Sequence, residues 1–296
     1  MPSAMNCSVN LIREERNKLK ASLKRIGLAR LDRSKRALVI PVTFMILLVA
    51  SLGLISLTYY FAVEKINTRS TVLKISTAKQ DMLSFSETLL PILWQPGSAS
   101  TFEFSDSGGK INVQPIANSL AINVSDNRDI SATIFNETVG QVIYELPYSE
   151  SPDTGSFLKG DGRTITNQSG SLITQLTIRS GAEHPELLLR YRPTVSYTTV
   201  GIENGKAVNN IRIYIVNLNT SQEFGLHGRI PVKASCVNTQ ITTLTYSVNY
   251  APDLTLTSTF GSQSGHVSVP ISSAQEGAVI NIEIVESIIQ IQRCIR

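Results

Sequence analysis

The sequence has few of the residues from which enzymes and metal sites are usually built. Its three histidines, His184, His227 and His266, stand far apart, and no group of His, Cys, Asp and Glu has the spacing of zinc ligands. The nucleophile elbow G-x-S-x-G, the phosphate-binding P-loop and the dinucleotide fingerprint G-x-G-x-x-G are also missing. We therefore expect no catalytic residue, no metal site and no cofactor, and we do not predict an enzyme.

Two short acidic motifs resemble functional sequences, but both are typical of turns. Asp106–Gly109 and Asp153–Ser156 each contain the D-[ST]-G triplet of aspartic proteases, which must bring two carboxylates face to face. The Ser-Pro before Asp153 indicates a loop, and the triplets are too close in sequence for a two-lobed enzyme. The segment from Asp153 to Asp161 is acidic like a calcium loop, but it lacks the EF-hand spacing. Because Asp-x-Gly is common turn chemistry, we predict turns at both places.

Charge is absent from residues 37–63, a run of 27 positions. About 20 apolar residues are enough to cross the hydrocarbon core of a bilayer, so this run is long enough to be a transmembrane helix. A secretory signal peptide has a shorter apolar region with a small-residue cleavage site after it. Tyr59 and Tyr60 stand near the end of the run, where an aromatic belt belongs. We predict a single span over 37–63 with the lipid bilayer as its partner.

The charge on either side of the run predicts its orientation. Residues 1–36 contain ten Lys and Arg against three Asp and Glu, a net charge of +7, whereas the remaining 17 basic and 20 acidic residues give −3. The positive-inside rule places 1–36 in the cytoplasm and the chain from about residue 64 outside the cell. Ile12, Leu19, Leu23 and Ile26 also predict a basic amphipathic helix on the inner leaflet. Nucleic-acid binding is not expected, because the basic residues adjoin a membrane span.

Sequons and cysteines agree with an external C-terminal part. Four N-x-S/T sequons follow the span and are candidate glycosylation sites: Asn123, Asn136, Asn167 and Asn219. Cys236 and Cys294 also lie on the predicted outer side. They either form a disulfide, worth on the order of 4 kcal/mol for a loop of this length, or remain two free thiols.

A helical pattern continues after the span. Apolar residues recur at steps of three and four from Ile75 through Ala78, Met82 and Phe85 to Leu89, which is one stripe of an amphipathic helix. Pro91 and the turn residues at 95–97 end the pattern. We predict one helix from about Ala37 to Leu90, with 64–91 as an amphipathic stalk.

From residue 92 onward the sequence predicts an extracellular antiparallel β-sandwich. Short β-branched runs alternate with turn residues, and "ENGK" at 203–206 links two long alternating runs as a hairpin. This pattern favours a sandwich over a parallel α/β sheet. The region 92–296 is either one domain or two sub-sandwiches that meet near 200–225. The absence of a linker and of internal repeats favours one unit.

The start of the span resembles the class III signal peptide of archaeal type IV pilins and archaellins. Lys35, Arg36 and Ala37 match the positions before the cleavage site of that family, and Leu38 would begin the mature chain. The resemblance implies cleavage after Ala37 by a prepilin-peptidase-like enzyme, with residues 1–36 as a leader. It also implies that mature copies bundle through 38–63 in the core of a surface filament.

We therefore expect a membrane-anchored, cell-surface protein that acts as a pilin-like subunit or minor filament component. Its β-rich head would make surface contacts or adhere. The alternative is an uncleaved single-pass protein with an extracellular β-sandwich binding domain, because a basic flank before any transmembrane helix gives the same local sequence.

Overall fold

The computed structural model describes residues 5–147, 154–167 and 173–294. Within the first helix, side chains are described at 15–18, at 20 and from Pro41 onward. The chain divides into a first unit that ends at Arg69 and a second unit that begins at Ser70. The second unit contains the helix from Ser70 onward together with all the described strands.

One long helix, α1, runs from Met5 to Leu89, and a short 3-10 turn, Leu90–Ile92, follows it. The predicted end near Leu90 is confirmed, but the helix begins about 30 residues before the predicted Ala37. The N-terminal segment is rich in Leu, Lys, Arg and Ala, which are good helix formers, and a single Gly27 costs only about 1 kcal/mol. Pro41 lies inside the helix.

Thirteen strands follow the helix in the described residues, and they confirm a mainly β domain. Because alternating β-branched and apolar residues suit a pleated surface with one buried face, most of these strands coincide with the runs predicted from the sequence. The strands are β1 (Ala99–Phe104), β2 (Lys110–Ser125), β3 (Ser131–Glu145), β4 (Phe157–Lys159), β5 (Thr174–Ser180), β6 (Pro185–Tyr191), β7 (Thr194–Glu203), β8 (Lys206–Asn217), β9 (Phe224–His227), β10 (Ile230–Val248), β11 (Leu254–Phe260), β12 (Gln263–Val269) and β13 (Ala278–Arg293).

The described strands form two sheets in a sandwich-like arrangement. The five-stranded sheet has the order β1-β10-β13-β8-β7. The eight-stranded sheet has the order β12-β11-β2-β3-β6-β5-β4, with β9 paired to β2. The pairs are antiparallel as predicted, with the exception of β13 and β8, which run parallel. That pair is joined by a crossover through β9–β12, which local sequence patterns do not reveal.

The predicted hairpin at 203–206 is confirmed. Glu203 pairs with Lys206, so β7 and β8 are joined by the two residues Asn204 and Gly205. Both have positive φ, 49° and 77°. Asn-Gly tolerates this left-handed conformation, and the resulting turn matches the twist of the flanking strands.

The described buried residues form two hydrophobic cores. The first core contains the stalk stripe together with residues of β1, β2, β3, β5, β6, β10 and β13. The second core contains residues of β2, β3, β8, β11 and the first half of β13. Long strands contribute to both cores, and residues 70–296 form one compact unit. The division runs across the strands and not at a chain boundary near 200–225.

The two cores lie on opposite faces of the five-stranded sheet. In β13 the second core takes even-numbered residues such as Ile282 and Ile284, whereas the first core takes the odd-numbered Ile289 and Ile291. Successive side chains of a strand point to opposite faces. The buried face therefore changes at Glu286 and Ser287, where two neighbouring residues are both buried.

We call the region around Glu286 and Ser287, where the buried face changes, the seam. Hydrogen-bonded polar groups line it. The side-chain amide of Asn217 donates a hydrogen bond to Glu286 Oε1 at 2.9 Å. In the other sheet, the register of β2 and β3 shifts between Gln114 and Asn118, and the buried Gln141 amide bonds to both of these side chains. Buried polar groups need such partners, so the seam is internally satisfied at these residues.

The sheets approach each other closely at Gly140 of β3. A Cβ built at this position would lie 2.8 Å from the Cβ of Leu218 and 2.9 Å from its backbone. We predict that Gly140→Ala lowers the free energy of unfolding by about 1–3 kcal/mol, because the overpacked backbone must move. Thermal unfolding in detergent, followed through the fluorescence of the one tryptophan, Trp94, measures the change.

The matched control is Gly201→Ala, because a Cβ at Gly201 meets nothing within 4 Å. Equal melting temperatures for both variants would contradict the role given to Gly140.

Candidate functional site

The first candidate surface is the apolar part of α1, from Pro41 to Val63. Every side chain in this segment is exposed, including Phe44 at 65% and Leu54 at 66%. Its most apolar window has a mean hydropathy of 2.1 with none of that window buried. The hydroxyls of Ser51, Ser56 and Thr58 donate to backbone carbonyls three or four residues earlier, at 2.8–2.9 Å. The helix is therefore long and apolar enough to span a membrane, and these polar groups are satisfied within it.

The residues that resemble a processing site lie inside the helix. Lys35, Arg36, Ala37 and Leu38 all have helical backbone. Proline has no N–H and therefore cannot donate to the carbonyl four residues before it. For Pro41 that carbonyl belongs to Ala37, the residue before the resembled cleavage point. The helix is consequently weakened at the peptide bond that the resemblance marks.

The stalk part of α1 is fixed in the first core by the predicted stripe. Ala78, Met82 and Leu89 are 0% exposed and Phe85 is 1% exposed. Phe85 packs against the ring of Phe104 with a centroid distance of 5.1 Å. This confirms the periodicity from Ile75 to Leu89, because the predicted apolar positions are those that contact the strands.

Polar contacts fix the same helix on its flanks. The Asp81 carboxylate accepts a hydrogen bond from the backbone N–H of Ser105 at 2.8 Å. The ammonium group of Lys159, on β4, donates to the buried Ser86 hydroxyl at 3.1 Å and lies 3.7 Å from Glu87 Oε1. The stalk is thereby tied to the residue after β1 and to β4 by groups that the apolar pattern does not identify.

The chain leaves the helix across the five-stranded sheet. The carbonyl oxygen of Leu93 accepts a hydrogen bond from the Ser287 hydroxyl, at the seam. Trp94 packs edge-on against Tyr214 of β8 with a centroid distance of 5.4 Å. These contacts attach the end of α1 to β13 and β8, so the helix cannot slide relative to the sheet without breaking them.

Cys236 and Cys294 are both free thiols in the structure, which is the second of the two alternatives. The backbone N–H of Cys294 donates to the Pro231 carbonyl at 3.0 Å, which places Cys294 beside Pro231. Cys236 is five residues further along β10, or about 16 Å at the rise of a strand. A disulfide needs Cα atoms within about 7 Å. Cys236 is instead a core residue, 1% exposed.

The four sequons differ in accessibility. Asn136 is exposed on β3, whereas the other three are partly buried. Asn123 Oδ1 accepts the Thr133 hydroxyl at 2.7 Å, and the Asn167 amide donates to the Ser268 carbonyl at 3.0 Å. The Oδ1 atom of Asn219 is buried. An enzyme that transfers a glycan to the folded domain could therefore reach Asn136 most easily.

The acidic motifs have different outcomes. Asp106 forms an Asx turn, because its carboxylate accepts the backbone N–H of Gly108 at 3.2 Å. Asp153 lies outside the described residues. The three histidines lie on β9, on β12 and in the turn before β6, and the described residues contain no group of three or more His, Cys, Asp or Glu that could hold a metal ion.

An ion-pair network surrounds Asp161, and no local sequence pattern predicts it. Arg192 is 1% exposed, and its guanidinium bonds to the Asp161 carboxylate and to the Arg163 carbonyl. Arg163 also bonds to Asp161, at 2.7 Å. Hydrogen bonds from Arg163 and then Arg192 hold the pKa of Asp161 well below its ordinary value. The network fixes residues 161–167, which lie between β4 and β5.

The seam also contains a buried carboxylate that no sequence pattern predicts. Glu286 is 7% exposed, and burial raises the pKa of this carboxyl above its ordinary value. Its bonded partner is the Asn217 amide, which is 0% exposed. The nearby carboxylate of Glu137 raises the same pKa further. We assign Glu286 to the structure of the seam.

A solvent-facing groove of about 400 Å³ lies at the end of β10 and β13. Arg229 on its rim forms an ion pair with Glu103 at 2.7 Å. Its lining includes two arginines, Arg229 and Arg293. It is lined by Glu103, Leu226, His227, Arg229, Ile230, Pro231, Arg293 and Cys294.

Comparison with known proteins returned no match, whether to a protein-family model, to a curated protein or to a solved structure.

We predict that Asp161→Asn destabilises the protein by about 1–3 kcal/mol at neutral pH. Removing one partner leaves the buried Arg192 charge without its carboxylate, although the half-exposed Asp161 reduces the cost. Since the folded-state pKa of Asp161 is lowered, its contribution is complete above the unfolded pKa of about 4 and falls as the pH drops below it. Unfolding by denaturant at pH 7 and at pH 3 measures the difference between variant and parent.

The difference should shrink at pH 3. Asp129→Asn, at an exposed carboxylate, is the control and should change little at either pH. A pH-independent effect of Asp161→Asn would contradict the electrostatic explanation.

Proposed function

We propose that the chain is a membrane-anchored cell-surface protein that assembles as a pilin-like subunit, or minor component, of a surface filament. The single observation that carries the proposal is the division of α1. Its side chains are all exposed from Pro41 to Ser70, and its apolar stripe is buried in the β domain from Ala78 to Leu89. A simple anchor needs only about 20 apolar residues and no helical stalk built into the outer domain.

The exposed apolar surface supports assembly as well as anchoring. A helix that is apolar on all sides is stable in lipid or among similar helices. Either environment would remove the apolar side chains of the segment 41–63 from water. Its backbone groups are bonded within the helix, so transfer from lipid to a bundle exposes no new polar group. Packing of residues 38–63 between copies would then form the filament core.

Charge supports an orientation with the β domain outside the cell. The net charge of +7 lies in residues 1–36, before the apolar run, and the rest of the chain has −3. The positive-inside rule retains such a segment in the cytoplasm. The β domain then forms the outer surface, where Asn136 is available for glycosylation and where contacts or adhesion would take place. We propose no enzymatic activity for it.

One observation favours the alternative, an uncleaved single-pass surface protein. Residues 35–38 lie within a continuous helix, and peptidases cut extended chain more readily than helix. The two proposed functions differ in whether the Ala37–Leu38 peptide bond is cleaved.

We predict that the protein recovered from its own cells begins at Leu38. N-terminal sequencing and intact mass of membrane and filament fractions measure this. Ala37→Leu should retain the leader, because a bulky side chain replaces the small residue before the resembled cleavage point. Ala50→Leu makes the same change within the apolar run and should be processed normally. An intact N-terminus in the parent, with the protein confined to membranes, would contradict the proposed function.

We also predict that Pro41→Ala slows this cleavage. The substitution restores an N–H that can donate to the Ala37 carbonyl, and it removes about 3 kcal/mol of local helix destabilisation. Pulse-chase labelling of the full chain should show the uncleaved form persisting longer than in the parent. Val42→Ala, the neighbouring change without a new backbone donor, should leave the rate unchanged.

A further inference from the structure

Both margins of the five-stranded sheet are open over the same stretch. On one margin, β1 pairs with β10 only from Ile230 to Ser235. Beyond Cys236, the stretch from Val237 to Ser247 pairs with β13 on one side and with no other described strand. Its exposed apolar side chains include Val237 at 51% and Ile241 at 66%.

The opposite margin is β7, which pairs with β8. The backbone N–H of Val195 donates to the Thr166 carbonyl at 2.8 Å, so residue 166 covers the beginning of the strand. From Ser196 to Ile202 the residues are exposed, including Val200 at 64% and Ile202 at 72%.

Neither open stretch carries the residues that normally protect an edge. Strand edges present unpaired N–H and C=O groups, and proteins guard them with charge, proline or very short strands. Residues 237–247 contain no charged residue, no proline and no glycine, and residues 196–202 contain no charged residue and no proline. Apart from the register irregularities between Cys236 and Asn238 and between Thr199 and Gly201, both edges are unguarded and suited to pairing with another strand.

The two end strands of the eight-stranded sheet, β12 and β4, are covered or short. At the β12 margin, Thr164 lies against Gly265. The Asn167 side-chain amide donates a hydrogen bond to the Ser268 carbonyl at 3.0 Å. The buried Arg192 and its partner Asp161 fix that covering segment. The other margin, β4, has three residues and an irregular register. The end strands of this sheet are therefore covered or short, although residues 131–141 of β3 pair with no described strand other than β2, whereas the two open stretches of the five-stranded sheet have no such cover.

The two open edges lie at the same level of the sheet. Thr245 of β10 is opposite Asn281, which is opposite Asn210, which is opposite Thr198 of β7. The pairings β10–β13 and β8–β7 are antiparallel and β13–β8 is parallel, so β7 and β10 run in the same direction. A second copy shifted sideways would therefore place its β10 beside β7 in parallel.

We propose that β7 of one copy pairs with β10 of the next, so that the five-stranded sheets of neighbouring copies become one continuous sheet. The occupant of each edge is a second copy of this chain, because the same sheet offers two open edges at the same level that run in the same direction. Such a head-to-tail contact leaves one edge free at each end, so further copies can be added. The inference rests on the proposed function, which brings anchored copies side by side.

Cysteine cross-linking of the full chain in its native membranes tests the pairing. In a background with Cys7→Ser and Cys294→Ser, the buried Cys236 is kept, and Thr198→Cys is combined with Thr243→Cys, Thr245→Cys or Ser247→Cys. The three partners allow for the twist of the sheet. A short thiol cross-linker should give a ladder beyond the dimer for at least one pair. Thr198→Cys with Ser131→Cys, on the other sheet, should give none.

Added charge should abolish the ladder. Val200→Lys and Ile241→Lys place a lysine on each open edge at side chains that are already exposed. Ile116→Lys, at a side chain 75% exposed on the other sheet, is the matched control and should leave the ladder intact. The melting temperature, followed by Trp94 fluorescence, should be the same in all three variants, which shows that folding is retained.

The remaining outcomes separate this inference from the function on which it rests. Thr245→Cys alone giving a strong dimer would show β10 pairing with itself and would overturn the head-to-tail contact. Cross-links through Leu57→Cys in the apolar helix without cross-links at the edges would overturn the edge pairing and leave the filament intact. Absence of both kinds of cross-link would overturn the inference together with filament assembly.

Discussion

The burial of one helical stripe in the first core is the contact on which the rest of the structure depends. Met82, Phe85 and Leu89 are almost completely removed from solvent, and strands of both sheets meet around them. Each such side chain contributes about 1.5–3 kcal/mol on burial, so the stripe is comparable with the whole net stability of a typical domain. The helix that completes the core of the β domain therefore also provides the apolar segment. A truncation that removes the whole helix would remove both the apolar segment and part of the core.

The change of buried face along β13 follows from the same arrangement. The stalk occupies one face of the five-stranded sheet at one end, and the eight-stranded sheet covers the opposite face at the other end, so the long strands must bury both faces in turn. A strand that does this has two adjacent buried positions, and at Glu286 and Ser287 these are polar. Glu286 and Ser287 form hydrogen bonds to Asn217 and Leu93 at the seam. Apolar side chains at these two positions would lie between the two cores. Gly140 has the related role of allowing the backbone at Leu218 to approach.

Local features of the sequence predicted local features of the structure. The stripe from Ile75 to Leu89, the hairpin at Asn204 and Gly205, and the apolar run before them depend on residues a few positions apart, and all were identified. The parallel pairing of β13 with β8 and the ion pair of Asp161 with Arg192 depend on chain segments that meet only in the fold. The separation of Cys236 from Cys294 is of the same kind. Cys236 lies on β10 and Cys294 directly follows the neighbouring strand β13, but the two differ by five positions in register. No periodicity contains that information.

Unguarded edges are normally a hazard, and the proposed anchoring explains why they can be retained here. An isolated parallel contact of about seven residues is weak in water, because each backbone bond replaces bonds to solvent and contributes little net free energy. Free domains at low concentration would seldom pair. Copies held side by side by their helices have a high effective concentration of edges, and the same weak contact then becomes populated. The register irregularity between Thr199 and Gly201 further limits pairing with unrelated flat strands. On this argument the apolar helix supplies the association energy, and the open sheet supplies the order in which neighbouring domains are arranged.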